Sequence, residues 1–226
     1  MMFEAVTSSL LRSANVMRGL VLLTAVSLLG GCSSPPRLPA VPAALQDQAV
    51  VPGMADVRYF APHYGQMKRD MQLTITREHA ALAASGSHGP LPPISHLAVS
   101  GGGANGAFGA GLLVGWTAHG DRPMFNVVTG VSTGALIAPF AFLGPAYDTQ
   151  LKRLYTEVSN KDILNLRSIS AALFDDALAD NLPLQKLVEA NITPALIEAI
   201  AAESLKGRTL LVATTDLDAD RSVLWN

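Results

Sequence analysis

Two glycine-rich turns, each entered from a short apolar run and left through a helix-forming stretch, constrain this chain more than any other feature. His96-Leu-Ala-Val-Ser100 runs directly into Gly101-Gly-Gly-Ala-Asn-Gly106, and residues 107–116 then read as a helix rich in small residues. Phe125-Asn-Val-Val-Thr129 runs into Gly130-Val-Ser-Thr-Gly134, and residues 135–143 continue as an apolar helix. Amphipathic helices are expected over 148–158 and 193–205. Gly207 stops the second of these, and residues 208–215 form a third apolar strand. Continuous apolar strands alternating with helices predict an α/β fold, a parallel-sheet core with helices on both faces. The sequence shows no internal repeat.

The pattern around Ser132 is G-x-S-x-G, placed after a strand and before a helix, as its mechanism requires. Such a turn is tight, and Gly130 and Gly134 keep strand and helix from clashing. The serine oxygen then stands clear of the backbone, near a helix N-terminus whose amides favour developing negative charge. Thirty-one residues earlier, Gly101, Gly102 and Gly103 follow the neighbouring strand. A run without side chains lets backbone N–H groups face the same cleft, as an oxyanion hole demands. Both loops are expected at the carboxyl ends of adjacent parallel strands, where α/β sheets place their sites.

Two other readings compete. Gly101-x-Gly103-x-x-Gly106 also fits the dinucleotide fingerprint, which needs an acidic residue at the end of the next strand. Asp121 comes before that strand, and Thr129-Gly130 occupies its end. Alternatively, the glycines only permit close packing. The base for Ser132 is not obvious either. All five histidines (63, 79, 88, 96 and 119) precede the serine, so the order Ser-Asp-His of α/β hydrolases cannot be completed. An aspartate can accept the hydroxyl proton directly.

In this order and spacing, Ser100-Gly-Gly-Gly-Ala-Asn-Gly106 and Gly130-Val-Ser-Thr-Gly134 resemble the patatin-like phospholipase family. The resemblance covers about residues 95–226, the front part of such a domain. It implies a lipid acyl hydrolase with Ser132 as nucleophile. The Gly102 and Gly103 amides would hold the oxyanion and Gly101 would shape the loop, with Asn105, Gly106, Gly130 and Gly134 completing the motifs. Lipids or other acyl esters are the implied substrates, with no metal or cofactor needed for the Ser-Asp chemistry. Asn105 stands where the family often has arginine or lysine; it can donate a hydrogen bond but brings no charge. The family's aspartate sits in Asp-Gly-Gly or Asp-Gly-Ala, and these 226 residues contain no Asp-Gly. Asp175, Asp176, Asp180, Asp216, Asp218 and Asp220 follow the serine in other contexts. Residues 222–225 read as the hairpin partner of the third strand. The expectation is therefore a partial domain whose dyad aspartate lies downstream, inactive or nearly so as given. A catalytically dead, lipid-anchored binding protein is the rival function.

The N-terminus reads as an address. Arg12 and Arg18 precede an eleven-residue apolar run over 19–29, too short for a membrane-spanning helix, which needs about 20 residues, but fitting a signal-peptide core. The run ends in Leu29-Gly-Gly-Cys32-Ser33, which resembles a bacterial lipobox; cleavage would leave an acylated Cys32 anchored in the membrane. Ser33 after the cysteine implies, by the same resemblance, the outer membrane. The expected organisation is a signal peptide over 1–31, a Pro-rich tether over 32–57, a helical extension and linker over 58–94, and the main domain over 95–226. A helix is expected over 66–84. The net charge of −2 and 6% aromatics give no footprint for nucleic acid, and a single cysteine excludes an internal disulfide framework or a multi-cysteine zinc site.

Overall fold

The computed structural model describes residues 39–54, 56–60, 65–158, 165–166, 179–180 and 182–226. The signal peptide, Cys32 and the start of the tether lie outside the described residues. Five strands form one mixed sheet: β1 (Arg58–Phe60), β2 (His96–Val99), β3 (Val127–Val131), β6 (Thr209–Asp216) and β7 (Arg221–Trp225), in spatial order β1-β7-β6-β3-β2. A separate antiparallel ribbon pairs β4 (Asn165–Leu166) with β5 (Ala179–Asp180). It belongs to a different compact unit.

The three apolar runs read from sequence form the parallel core, with β2 alongside β3 and β3 alongside β6. Their bounds shift slightly. Phe125 is buried yet precedes β3, because an apolar run reports burial rather than ladder hydrogen bonding. β7 pairs antiparallel with β6 and β1 antiparallel with β7. A short turn can join β6 to β7 only in this sense, since parallel neighbours need a long crossover.

Among the described residues the α-helices are α1 (Gly65–Ala84), α2 (Gly106–His119), α3 (Thr133–Leu143), α4 (Asp148–Thr156), α5 (Leu182–Asn191) and α6 (Pro194–Ser204). α3 lies against β2, β3 and β6, and α2, α4 and α6 pack on it. That position explains its sequence, since a helix covered on all sides is apolar all round. Ile137, Phe140 and Phe142 are fully buried, each contributing about 1.5–3 kcal/mol by burial. Arg122 enters this core from the segment before β3. Its side chain is 1% exposed and donates to Asp148 Oδ1 at 2.7 Å, to Thr117 Oγ1 and to the Leu113 and Ala141 carbonyls.

The boundary expected at residue 94 does not separate packed elements. Arg58–Phe60 is an edge strand of the sheet, and α1 docks beside β6. Glu78 accepts from Asn126 Nδ2 at 3.0 Å, Thr74 meets Thr209 at 3.4 Å, and Gly207 leaves room for the α1 backbone. The tether reading also stops short of residue 57. A 3-10 turn spans Ala43–Gln48, and Asp47 pairs with Arg221 at 2.6 Å. Prolines before residue 43 favour extension, but Asp47 and the Ala49 carbonyl have guanidinium partners on the sheet.

Candidate active site

Parallel register sets the site. Val99 pairs with Gly130, so the chain leaving β2 at Ser100 and Gly101 runs beside the chain leaving β3 at Val131 and Ser132. The turn at the end of β3 exists because of its glycines. A Cβ on Gly130 would lie 2.3 Å from the Gly134 carbonyl oxygen, and one on Gly134 would lie 2.2 Å from the Val99 carbonyl oxygen. Ser132 takes φ 54°, ψ −125°, a conformation costing about 1–3 kcal/mol for a residue with a side chain. The following residue, Thr133, begins α3, so Ser132 is exposed at the positive end of an apolar helix.

The first glycine loop closes on this serine. A Cβ on Gly101 would stand 3.0 Å from Ser132 Cβ and 3.6 Å from its Oγ. Gly102 (φ 146°) and Gly103 (φ 56°) both occupy conformations that favour glycine. Their N–H groups donate to no acceptor among the described residues. The loop continues through a 3-10 turn over Gly103–Asn105, in which the Asn105 N–H donates to the Gly102 carbonyl at 3.0 Å. Asn105 is exposed and its side chain caps nothing. Gly106 is buried against Thr133 and Tyr155. Ser132, Gly101, Gly102, Gly103, Asn105, Gly106, Gly130 and Gly134 are thus brought to one end of the parallel strands.

The described aspartates that follow Ser132 make no hydrogen bond to it, although Asp216 ends β6 on the same side of the parallel sheet. Asp216 Oδ1 accepts from the N–H groups of Asp218 and Ala219, closing the β6–β7 turn, in which Asp220 has φ 49°. Asp180 belongs to the ribbon, and Asp175 and Asp176 lie outside the described residues. Among the described residues no side chain hydrogen-bonds to Ser132 Oγ. His96 Nε2 meets Thr129 Oγ1 at 3.3 Å, and His119 pairs with Asp121 at 2.8 Å on the surface. No group of three or more metal-ligating side chains occurs among the described residues. The dinucleotide reading loses its premise here, since β3 ends on Val131 and turns at Ser132 without an acidic residue.

Two residues at this site escape motif reading. Thr133 is buried, and its hydroxyl lies 2.8 Å from Tyr155 Oη, which also donates to the Thr133 carbonyl at 3.1 Å. Burial pushes the Tyr155 phenol up from its ordinary pKa, with Thr133 opposing that shift in part. Tyr155 sits on the half-exposed, charged α4, where nothing in the sequence distinguishes it from a packing residue.

Residues 97–223 match the family model for patatin-like phospholipase. No curated protein and no solved structure matches the chain. The matched span runs from β2 through β7 and contains both glycine turns and the serine between β3 and α3. With the match come the family's general chemistry, lipid hydrolysis, and its substrate class, lipids: the chain belongs to the patatin-like phospholipase family.

Proposed function

We propose that the protein hydrolyses acyl esters of lipids by covalent serine catalysis, with Ser132 as nucleophile. The observation that carries this reading is the strained Ser132 set against a glycine loop whose Gly102 and Gly103 N–H groups have no acceptor among the described residues. Ser132 Oγ attacks the ester carbonyl and gives up its proton to an aspartate. The carbonyl oxygen becomes an oxyanion, which the Gly102 and Gly103 amides receive. Collapse expels the alcohol, protonated by the aspartate, and leaves an acyl-serine. Water, activated by the same aspartate, then releases the fatty acid. No aspartate among the described residues hydrogen-bonds to Ser132 Oγ. Asn105 at the loop offers a neutral donor to the head group, which suits a neutral ester as well as a phospholipid. Ser132→Ala in the protein expressed from its complete gene removes the nucleophile, and esterase activity should fall to background with the fold intact. Retained turnover would overturn the assignment.

Ser132 Oγ has no side-chain partner among the described residues, and this favours a second reading, a lipid-binding protein without turnover. A fluorophosphonate distinguishes the two, because only an activated serine reacts. We also propose that Cys32 is the acylated N-terminus of an outer-membrane lipoprotein, as the charged, apolar and small-residue pattern before it supports. Cys32→Ser should move the protein from the membrane fraction to the soluble one.

A further inference from the structure

The strain at Ser132 needs something to hold it, and the structure offers one contact cluster at the right place. Thr133 is the first residue of α3 and the immediate neighbour of Ser132. Tyr155, from α4, bonds Thr133 twice, through its side chain and through its carbonyl. A phenol has one proton. If Tyr155 Oη donates to the Thr133 carbonyl, then the Thr133 hydroxyl must donate to Tyr155 Oη, so both directions are fixed. The third member is Gly106, where the glycine loop enters α2. A Cβ there would lie 2.4 Å from Thr133 Oγ1 and 3.0 Å from Tyr155 Cε1. Nucleophile helix, glycine loop and α4 therefore meet at a single point.

Resting on the assignment of Ser132 as nucleophile, we propose that Tyr155 is a positioning residue: through Thr133 it holds the serine turn in its reactive conformation and in register with the glycine loop. A threonine pinned at both hydroxyl and carbonyl keeps the first residue of α3 in place, so the serine turn cannot relax out of positive φ by letting the chain after Ser132 shift. Tyr155 does not touch the reacting atoms and takes no proton.

The test is the rate of covalent labelling by a fluorophosphonate. Unfolded molecules do not label, so loss of folded protein lowers the final extent of labelling, whereas mispositioning lowers the rate constant itself. Tyr155→Phe removes both hydrogen bonds and keeps the ring. Its labelling rate constant and its kcat for a soluble ester should each fall roughly tenfold, with KM within about twofold, since a misplaced nucleophile costs rate rather than binding. Thr133→Val preserves shape and the Tyr155–carbonyl bond, so its rate should fall less than that of Tyr155→Phe. A Tyr155→Phe rate constant within twofold of wild type would overturn the proposal, as would a loss confined to labelling extent. If Tyr155→Phe does not fold, an unchanged Thr133→Val rate constant refutes it instead. Wild-type protein that fails to label at Ser132 would instead remove the functional reading beneath it, a distinct outcome.

Discussion

Gly134→Ala is the sharpest perturbation available, because its cost can be worked from the contact it creates. The added Cβ would lie 2.2 Å from the Val99 carbonyl oxygen, 2.7 Å from its carbon and 2.8 Å from the Ser100 carbonyl oxygen. All three are backbone atoms, so no rotamer change relieves them. The gap must widen by roughly 1 Å before the contact becomes ordinary, yet Val99 is held in the ladder opposite Gly130. Overpacking against fixed backbone costs about 3 kcal/mol. With a urea slope of about 2 kcal/mol/M, the unfolding midpoint should drop by about 1.5 M. The same 1 Å separates the glycine loop from Ser132, and a misplacement of that size costs about a hundredfold in rate. Gly111→Ala is the control. It sits within α2 with nothing within 4 Å of an added Cβ, so alanine should stabilise by about 0.5–1 kcal/mol. Urea midpoints measured side by side should move in opposite directions. A Gly134→Ala midpoint within 0.3 M of wild type would refute the geometric argument (about 0.6 kcal/mol at that slope).

Three further outcomes follow from the same structure. Gly101→Ala places a methyl 3.0 Å from Ser132 Cβ; it should keep the fold by circular dichroism and slow fluorophosphonate labelling at least tenfold, about 1.4 kcal/mol of barrier. Arg122→Met leaves the Asp148 carboxylate buried without its cation, which should cost about 3–5 kcal/mol in chemical denaturation, whereas replacing Asp148 by leucine in the same chain should restore part of it. Burial pushes the Glu203 carboxyl up, but hydrogen bonds from Lys206 and Arg208 outweigh it and hold the pKa below its ordinary 4.5. A lowered folded pKa gives stability that is present above the unfolded value and lost as pH falls through the folded one. Glu203→Gln should therefore cost on the order of 1 kcal/mol at pH 7, and urea titrations should show the difference shrinking below about pH 4.5.

The sheet core and the serine turn were legible because each is a local pattern with a steric cause. Gly130 and Gly134 are dictated by approaches of 2.3 and 2.2 Å, and an apolar strand running into such a turn has few other folds open to it. The β6–β7 hairpin was legible for the same reason, since residues 217–220 carry turn chemistry between two apolar runs. β1 was not. Three residues, Arg58-Tyr-Phe60, hold no period, and their pairing with β7 depends on chain far away in sequence, Val223 to Trp225. Likewise the residues of α1 themselves predict a helix, whereas its docking depends on Gly207, whose absent side chain makes room for Glu78. Gly207 reads locally as a helix stop. At the site, the motifs exposed the nucleophile and the loop, but Thr133 and Tyr155 meet only through packing of α3 on α4. Arg122 and Asp148 carry no such signal, because charged residues in sequence read as surface, and only the fold puts a guanidinium 1% exposed beside a carboxylate.

The central claim is that Ser132 is an activated nucleophile served by the Gly101–Gly103 loop. Incubating the protein, expressed from its complete gene, with a fluorophosphonate and mapping the adduct by peptide mass spectrometry tests it most directly. A single stoichiometric adduct on Ser132, absent after Ser132→Ala, is the predicted result. Folded protein that carries no adduct at Ser132 would contradict the claim and leave the cleft as a binding site for lipid.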